Sequence, residues 1–102
     1  MAHNISDMVQ REQWRSVLNS EVQRWSALPY DQIVSELKDV QGYEIEMDSK
    51  IYQVEVQLLE NTDQYLHVSV SVDDGSLRGA FRPLSESFII KKPPYEQAGR
   101  IF

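Results

Sequence analysis

His67 is the side chain of this sequence best suited to moving a proton near neutral pH, because an unperturbed imidazole titrates there. Acting as a base for a nucleophile, it would need a hydroxyl within reach and an acid to orient its ring. Ser69 and Ser71 share its strand face, but serines at that spacing occur on many regular strands. As a metal ligand it would need partners. The other histidine, His3, lies far away in sequence and the chain has no cysteine, so no metal-ligand spacing results. A solvated strand histidine is the reading the sequence favours over either role.

The remaining polar candidates are Glu44, Glu46, Gln53, Glu55, Arg78 and Arg82. Paired carboxylates can divide acid and base roles where their surroundings separate their pKa values, which requires a concave, partly dry site. On an open sheet they serve solubility and pair across strands with Arg78 or Arg82. Asp73-Asp74-Gly75-Ser76 begins like a calcium loop, but the alternating ligands and the closing bidentate Glu are missing. The four glycines, Gly42, Gly75, Gly79 and Gly99, are isolated, so there is no phosphate-cradling loop. Lys92-Pro93-Pro94-Tyr95 is too short for a specific proline-rich recognition signal. No cofactor is implied.

The elements that would position these residues are legible. Ser6-Asp7 can cap a helix. Trp14, Val17, Leu18, Val22, Trp25 and Leu28 then recur at helical spacing, with charged residues on the other side. Two tryptophans on such a stripe are core residues before they are a ligand platform. Pro29 ends this helix and starts a second over Tyr30 to Lys38, where Ile33, Val34 and Leu37 share one side.

From Tyr43 to Phe81 the pattern changes to alternation with turn signals: YEIEM, DS, KIYQVEVQLL, ENTDQ, YLHVSVSV, DDGS, LRGAF. A two-residue turn at Asp48-Ser49 places Glu46 opposite Ile51, Ile45 opposite Tyr52 and Tyr43 opposite Val54. Opposed residues share a face, so the apolar and polar sets separate. Asp74-Gly75 predicts a second tight hairpin, pairing Val72 with Leu77, Val70 with Gly79, Val68 with Phe81 and His67 with Arg82. Between them, Val56 opposite Val68 leaves Asn61-Thr62-Asp63 at a tip. Beyond Pro83, Leu84 to Ser87 reads as a turn, and Phe88-Ile89-Ile90 as a last edge strand guarded by Lys91-Lys92.

The expected fold is therefore α+β: two N-terminal helices on one face of a four- to five-stranded antiparallel meander. Residues 1–92 form one domain and 93–102 a tail. A chain of 102 residues, 41% apolar, can fill one modest core. No apolar run spans a bilayer and no leader pattern stands at the start. The absence of cysteine suits a cytoplasmic setting.

The net charge of -6 is uneven, with one basic against eight acidic side chains in residues 42–76 and five basic against two acidic in residues 77–102. An acidic centre disfavours nucleic acid and anionic membranes as partners. In outline the chain is similar to small bacterial secretion chaperones and immunity-type inhibitors, a likeness of class that no motif carries. The expected role is a non-catalytic protein-interaction domain whose partner has a basic surface. The alternative is ligand binding or enzymatic chemistry in a cleft near His67 and Arg82. Homodimerisation through Phe88–Ile90 is a further expectation.

Overall fold

The computed structural model describes residues 2–75 and 83–94, with side chains from residue 9 onward. Helix α1 spans Ala2–Ser26 and helix α2 spans Tyr30–Glu36. α1 begins before the Ser6-Asp7 cap read from sequence. The apolar stripe behaves as its spacing requires: Val17, Leu18 and Trp25 are buried, and Trp14, Val22 and Leu28 pack against the same core. Pro29 is extended at φ -62° and ψ 149°, and its carbonyl accepts from the amides of Gln32 and Ile33. α2 stops short of Lys38 because Leu37 leaves the helix at φ -100° and ψ 25°. Ile33 and Leu37 are both buried.

Four antiparallel strands follow: β1 (Gln41–Met47), β2 (Lys50–Asn61), β3 (Tyr65–Asp73) and β4 (Leu84–Lys91). Their order in the sheet is their order in the chain, a meander. The fold is α+β, with four strands among the described residues. The inner face supplies Tyr52, Val54, Val56, Leu66, Val68, Val70 and Val72 to one core cluster shared with both helices.

The first hairpin has the register read from sequence: Glu46 opposes Ile51, Ile45 opposes Tyr52 and Tyr43 opposes Val54. Asp48 and Ser49 both have positive φ, 51° and 66°, which is what a tight turn between right-twisted strands demands. The second register differs by two residues, since Val56 opposes Val70 and Leu58 opposes Val68. An even shift keeps every side chain on its face. The turn tightens around Thr62, whose Oγ1 accepts from the amides of Gln64 and Tyr65 at 3.2 and 3.0 Å. The ladder then slips between Leu58 and Glu60, leaving Leu59 as an exposed bulge.

The third hairpin corrects the sequence reading. Gly75 does adopt positive φ, 81°, and its amide donates to Asp73 Oδ1. Both sides of β3 are taken by β2 and β4, however. Val72 opposes Leu84 and Val68 opposes Phe88, so the expected pairing of Val72 with Leu77, Val68 with Phe81 and His67 with Arg82 does not form. Leu84-Ser85-Glu86-Ser87, expected as a turn, is the first half of β4. Two physical reasons favour the observed register. A ladder returning at Gly75 would end at Pro83, which has no amide to donate. It would also set Gly79 against Val70, whereas β4 makes eight pairs and brings Leu84, Phe88 and Ile90 against the core. Residues 76–82, with Arg78 and Arg82, lie outside the described residues, as do residues 95–102.

Polar side chains fix how α1 crosses the sheet. Near its middle, Gln13 Oε1 accepts from the Tyr52 hydroxyl at 2.7 Å, and Gln13 Nε2 donates to Asp48 at 2.8 Å. Trp14 Nε1 donates to the carbonyl of Val72 at 2.7 Å. Farther along, the buried Glu21 accepts from the Tyr43 hydroxyl and from Arg24, while Trp25 Nε1 donates to the Tyr43 oxygen at 2.8 Å. As α1 runs from Gln13 to Trp25, its partners run back from Asp48 to Tyr43, so helix and β1 are antiparallel.

Tyr43→Phe leaves the Trp25 N–H without its acceptor and takes one donor from the Glu21 carboxylate, which keeps Arg24; this should cost about 1–3 kcal/mol in urea unfolding. Burial, then the bond to Glu21, raises the Tyr43 phenol above its usual value. The folded state thus holds that proton more tightly than the unfolded chain does. The contribution is complete below about pH 10 and is lost as pH rises through the raised value. Alkaline urea titrations should show wild type losing more stability than Tyr43→Phe. Ser49→Gly, which removes a side chain from a left-handed position, should raise stability by about 1 kcal/mol in the same assay.

Candidate functional site

The inner face is consumed by packing, whereas the outer face and the sheet edges stay accessible among the described residues. Alternation along β1, β2 and β3 places Glu44, Glu46, Gln53, Glu55 and His67 outward. They fall into two groups at different ends of the sheet.

The first group is acidic. Gln53 Nε2 donates to Glu44 Oε2 at 2.9 Å across the first hairpin. Glu46 opposes Ile51, which is exposed. Glu55 stands between Gly42 on β1 and Ser71 on β3, and Gln53 opposes Asp73. Gly42, Gln53, Val54, Glu55, Ser71, Asp73 and Pro83 line a groove of about 250 Å³. Gly42 needs no unusual backbone there, and a Cβ on it would meet only the Val54 carbonyl, at 3.9 Å. Its missing side chain is what opens the floor beside Glu55. The groove offers two carboxylates, an amide and a hydroxyl, a surface that prefers a cationic group to an anion or an apolar one. The nearest cation on this hairpin, Lys50, reaches toward Asp74 at 3.9 Å and stays at the turn.

The second group surrounds His67. Its Nε2 lies 2.9 Å from Ser87 Oγ and its Nδ1 lies 3.5 Å from Glu60 Oε1. The Tyr65 hydroxyl donates to the same Glu60 oxygen at 3.3 Å, and the Glu60 charge raises the Tyr65 phenol. Acid, imidazole and hydroxyl stand in series on three neighbouring strands, the order a nucleophilic serine requires. Among the described residues, enclosure is missing. The Glu60 side chain is 52% exposed and the His67 side chain 27%, so water competes for each bond and screens the carboxylate. The ring-to-carboxylate distance is also long for an orienting hydrogen bond.

Sequence reasoning missed Asp73 and Pro83 in the groove, and Glu60 and Ser87 around His67. Glu60 was unreadable because the Leu59 bulge moves it. By strict alternation it would share the inner face with Val56 and Leu58; the extra residue turns it outward, opposite His67. Ser87 was unreadable because its strand was taken for a turn. Arg78 and Arg82, proposed as cross-strand partners of the glutamates and His67, lie outside the described residues. His67 opposes Ile89 instead.

Among the described residues no cluster of three or more His, Asp or Glu side chains is placed to hold a metal ion, and no helix is long and apolar enough to cross a membrane. In comparisons with known proteins, the chain matches no family model, no curated protein and no solved structure.

If the Ser87–His67–Glu60 series activated its hydroxyl, a fluorophosphonate would label Ser87 far faster than Ser85 on the same strand. The exposure of the series predicts equal, slow labelling of both, read by peptide mass spectrometry, with no change in Glu60→Gln.

Proposed function

We propose that this protein is a non-catalytic interaction domain that binds a partner protein through the acidic outer face of the first hairpin and its groove. One observation carries the reading. With the inner face filled by the helices, the outer face is left open among the described residues, and it presents Glu44 and Glu46 beside a groove that holds Glu55 and Asp73 and whose floor lacks a side chain at Gly42. A partner with a basic surface fits this chemistry: a Lys or Arg side chain would enter the groove and meet Glu55 and Asp73, while rim carboxylates speed encounter. The same charge disfavours nucleic acid and anionic lipid. The cysteine-free composition fits a cytoplasmic protein. The likeness of class to secretion chaperones and immunity inhibitors agrees with such a role.

A second reading, ligand binding or hydrolysis at His67, is favoured by the Ser87–His67–Glu60 series alone. It lacks a dry pocket, and for that reason stands behind the first.

Glu55→Lys and Gly42→Val separate the two. Both change the groove, and neither disturbs the core, since each side chain would lie on the outer face. Either should weaken capture of a salt-sensitive partner by about tenfold or more, a loss of 1.4 kcal/mol or greater, with an unchanged melting temperature. Capture equal to wild type in both variants, at low and moderate salt, would remove the groove from the interface. His67→Ala should leave capture unaltered.

A further inference from the structure

The sheet has two edges, and they differ. β1 carries Glu44 and Glu46, so pairing it with its own copy would draw four carboxylates onto one seam, a known deterrent to edge association. β4, with the sequence LSESFIIK, carries one acidic and one basic side chain. Its outward-directed backbone groups can be assigned. The Lys92 amide donates to the Gln64 carbonyl at 2.9 Å, which makes residues 64 and 92 a hydrogen-bonded pair at the end of the β3–β4 ladder. Antiparallel ladders alternate. Leu84, Glu86, Phe88 and Ile90 therefore direct their N–H and C=O groups to β3, and Ser85, Ser87, Ile89 and Lys91 direct theirs outward. No backbone hydrogen bond from outside the ladder reaches Ser85, Ser87 or Ile89 among the described residues. Ile89 is also 58% exposed, a β-branched apolar side chain next to these outward backbone groups.

We infer that β4 is a homodimer seam, pairing antiparallel with β4 of a second copy about a two-fold axis at Phe88. This register uses every outward position: Ser87 opposes the partner's Ile89 and Ser85 opposes the partner's Lys91. Shifting the axis to Ser87 or Ile89 leaves an outward residue unpaired at each end. The two Phe88 side chains then face each other as a non-hydrogen-bonded pair on the helix side of the sheet. On the outer side the two Ile89 side chains become diagonal neighbours and cover one another. Lys91, a guard against edge association when two strands meet in other registers, goes to opposite ends of the seam. Glu86 comes diagonal to the partner's Lys92, opposite charges on one face. The result is a closed dimer with one continuous eight-stranded sheet, its acidic β1 edges outermost. The seam is separate from the acidic groove, so either can fail alone.

Light scattering coupled to size exclusion tests this across a wide dilution series. The wild type should run at twice its 11.9 kDa chain mass when concentrated and fall toward the monomer on dilution. Ile89→Pro removes only an outward amide at an edge position that tolerates proline, and should be monomeric while retaining a folded circular dichroism spectrum. A wild type that stays monomeric at every concentration overturns the inference, as does a folded Ile89→Pro that remains dimeric. Because the chain has no cysteine, register can be read independently of that variant. Mixed Ser87→Cys and Ile89→Cys proteins should form disulfide dimers faster than either alone, since directly opposed Cα atoms lie within bridging distance, about 5.5 Å. Equal rates in the mixture and the separate proteins would rule out this pairing.

Discussion

The structure depends on one face of one sheet being covered by one helix. The long helix α1 and the short α2 cover one side of the four-stranded sheet, and among the described residues no helix or strand covers the other. The centre of the covered side is apolar and closely packed: valine follows valine along β2 and β3, and Leu18, Trp25 and Ile33 close over them. The alternation that buries Val54, Val56, Val68, Val70 and Val72 obliges Gln53, Glu55, His67, Ser69 and Ser71 to face out. The outer surface is thus a consequence of the core.

Apolar burial alone would let the helix slide on so uniform a valine surface. Directional bonds at two points prevent it. Trp14 reaches the Val72 carbonyl, and the Glu21–Tyr43–Trp25 set ties the other half of the helix to β1. Arg24 lies 5.4 Å from the centroids of both Trp25 and Tyr43, covering that set from the solvent side. Each buried polar atom in these contacts has a partner, so the bonds select an orientation without leaving a desolvated group unpaired.

Much of this was legible in the sequence, and the failures have physical causes. The helix stripe and the Asp48-Ser49 hairpin were readable because a local signal determined each: helical spacing in one case, a turn that forces φ above zero in the other. The Asp74-Gly75 signal was just as strong locally, yet tertiary pairing overrode it, since Leu84 to Lys91 makes a longer ladder than Leu77 to Phe81 could. The acidic half of the outer face followed from a correct register. The surroundings of His67 did not, because they need a bulge at Leu59, which no residue there announces, and a strand in place of an expected turn.

We propose that the covered face makes the fold and the acidic outer face makes the contacts. Nuclear magnetic resonance with a short oligolysine peptide at low salt addresses it most directly. Amide shifts should move at Gly42, Glu44, Gln53, Glu55, Ser71 and Asp73 and fade on adding salt, with Tyr65, His67 and Ser87 unmoved. Shifts centred on His67, or none at the groove, would contradict the account.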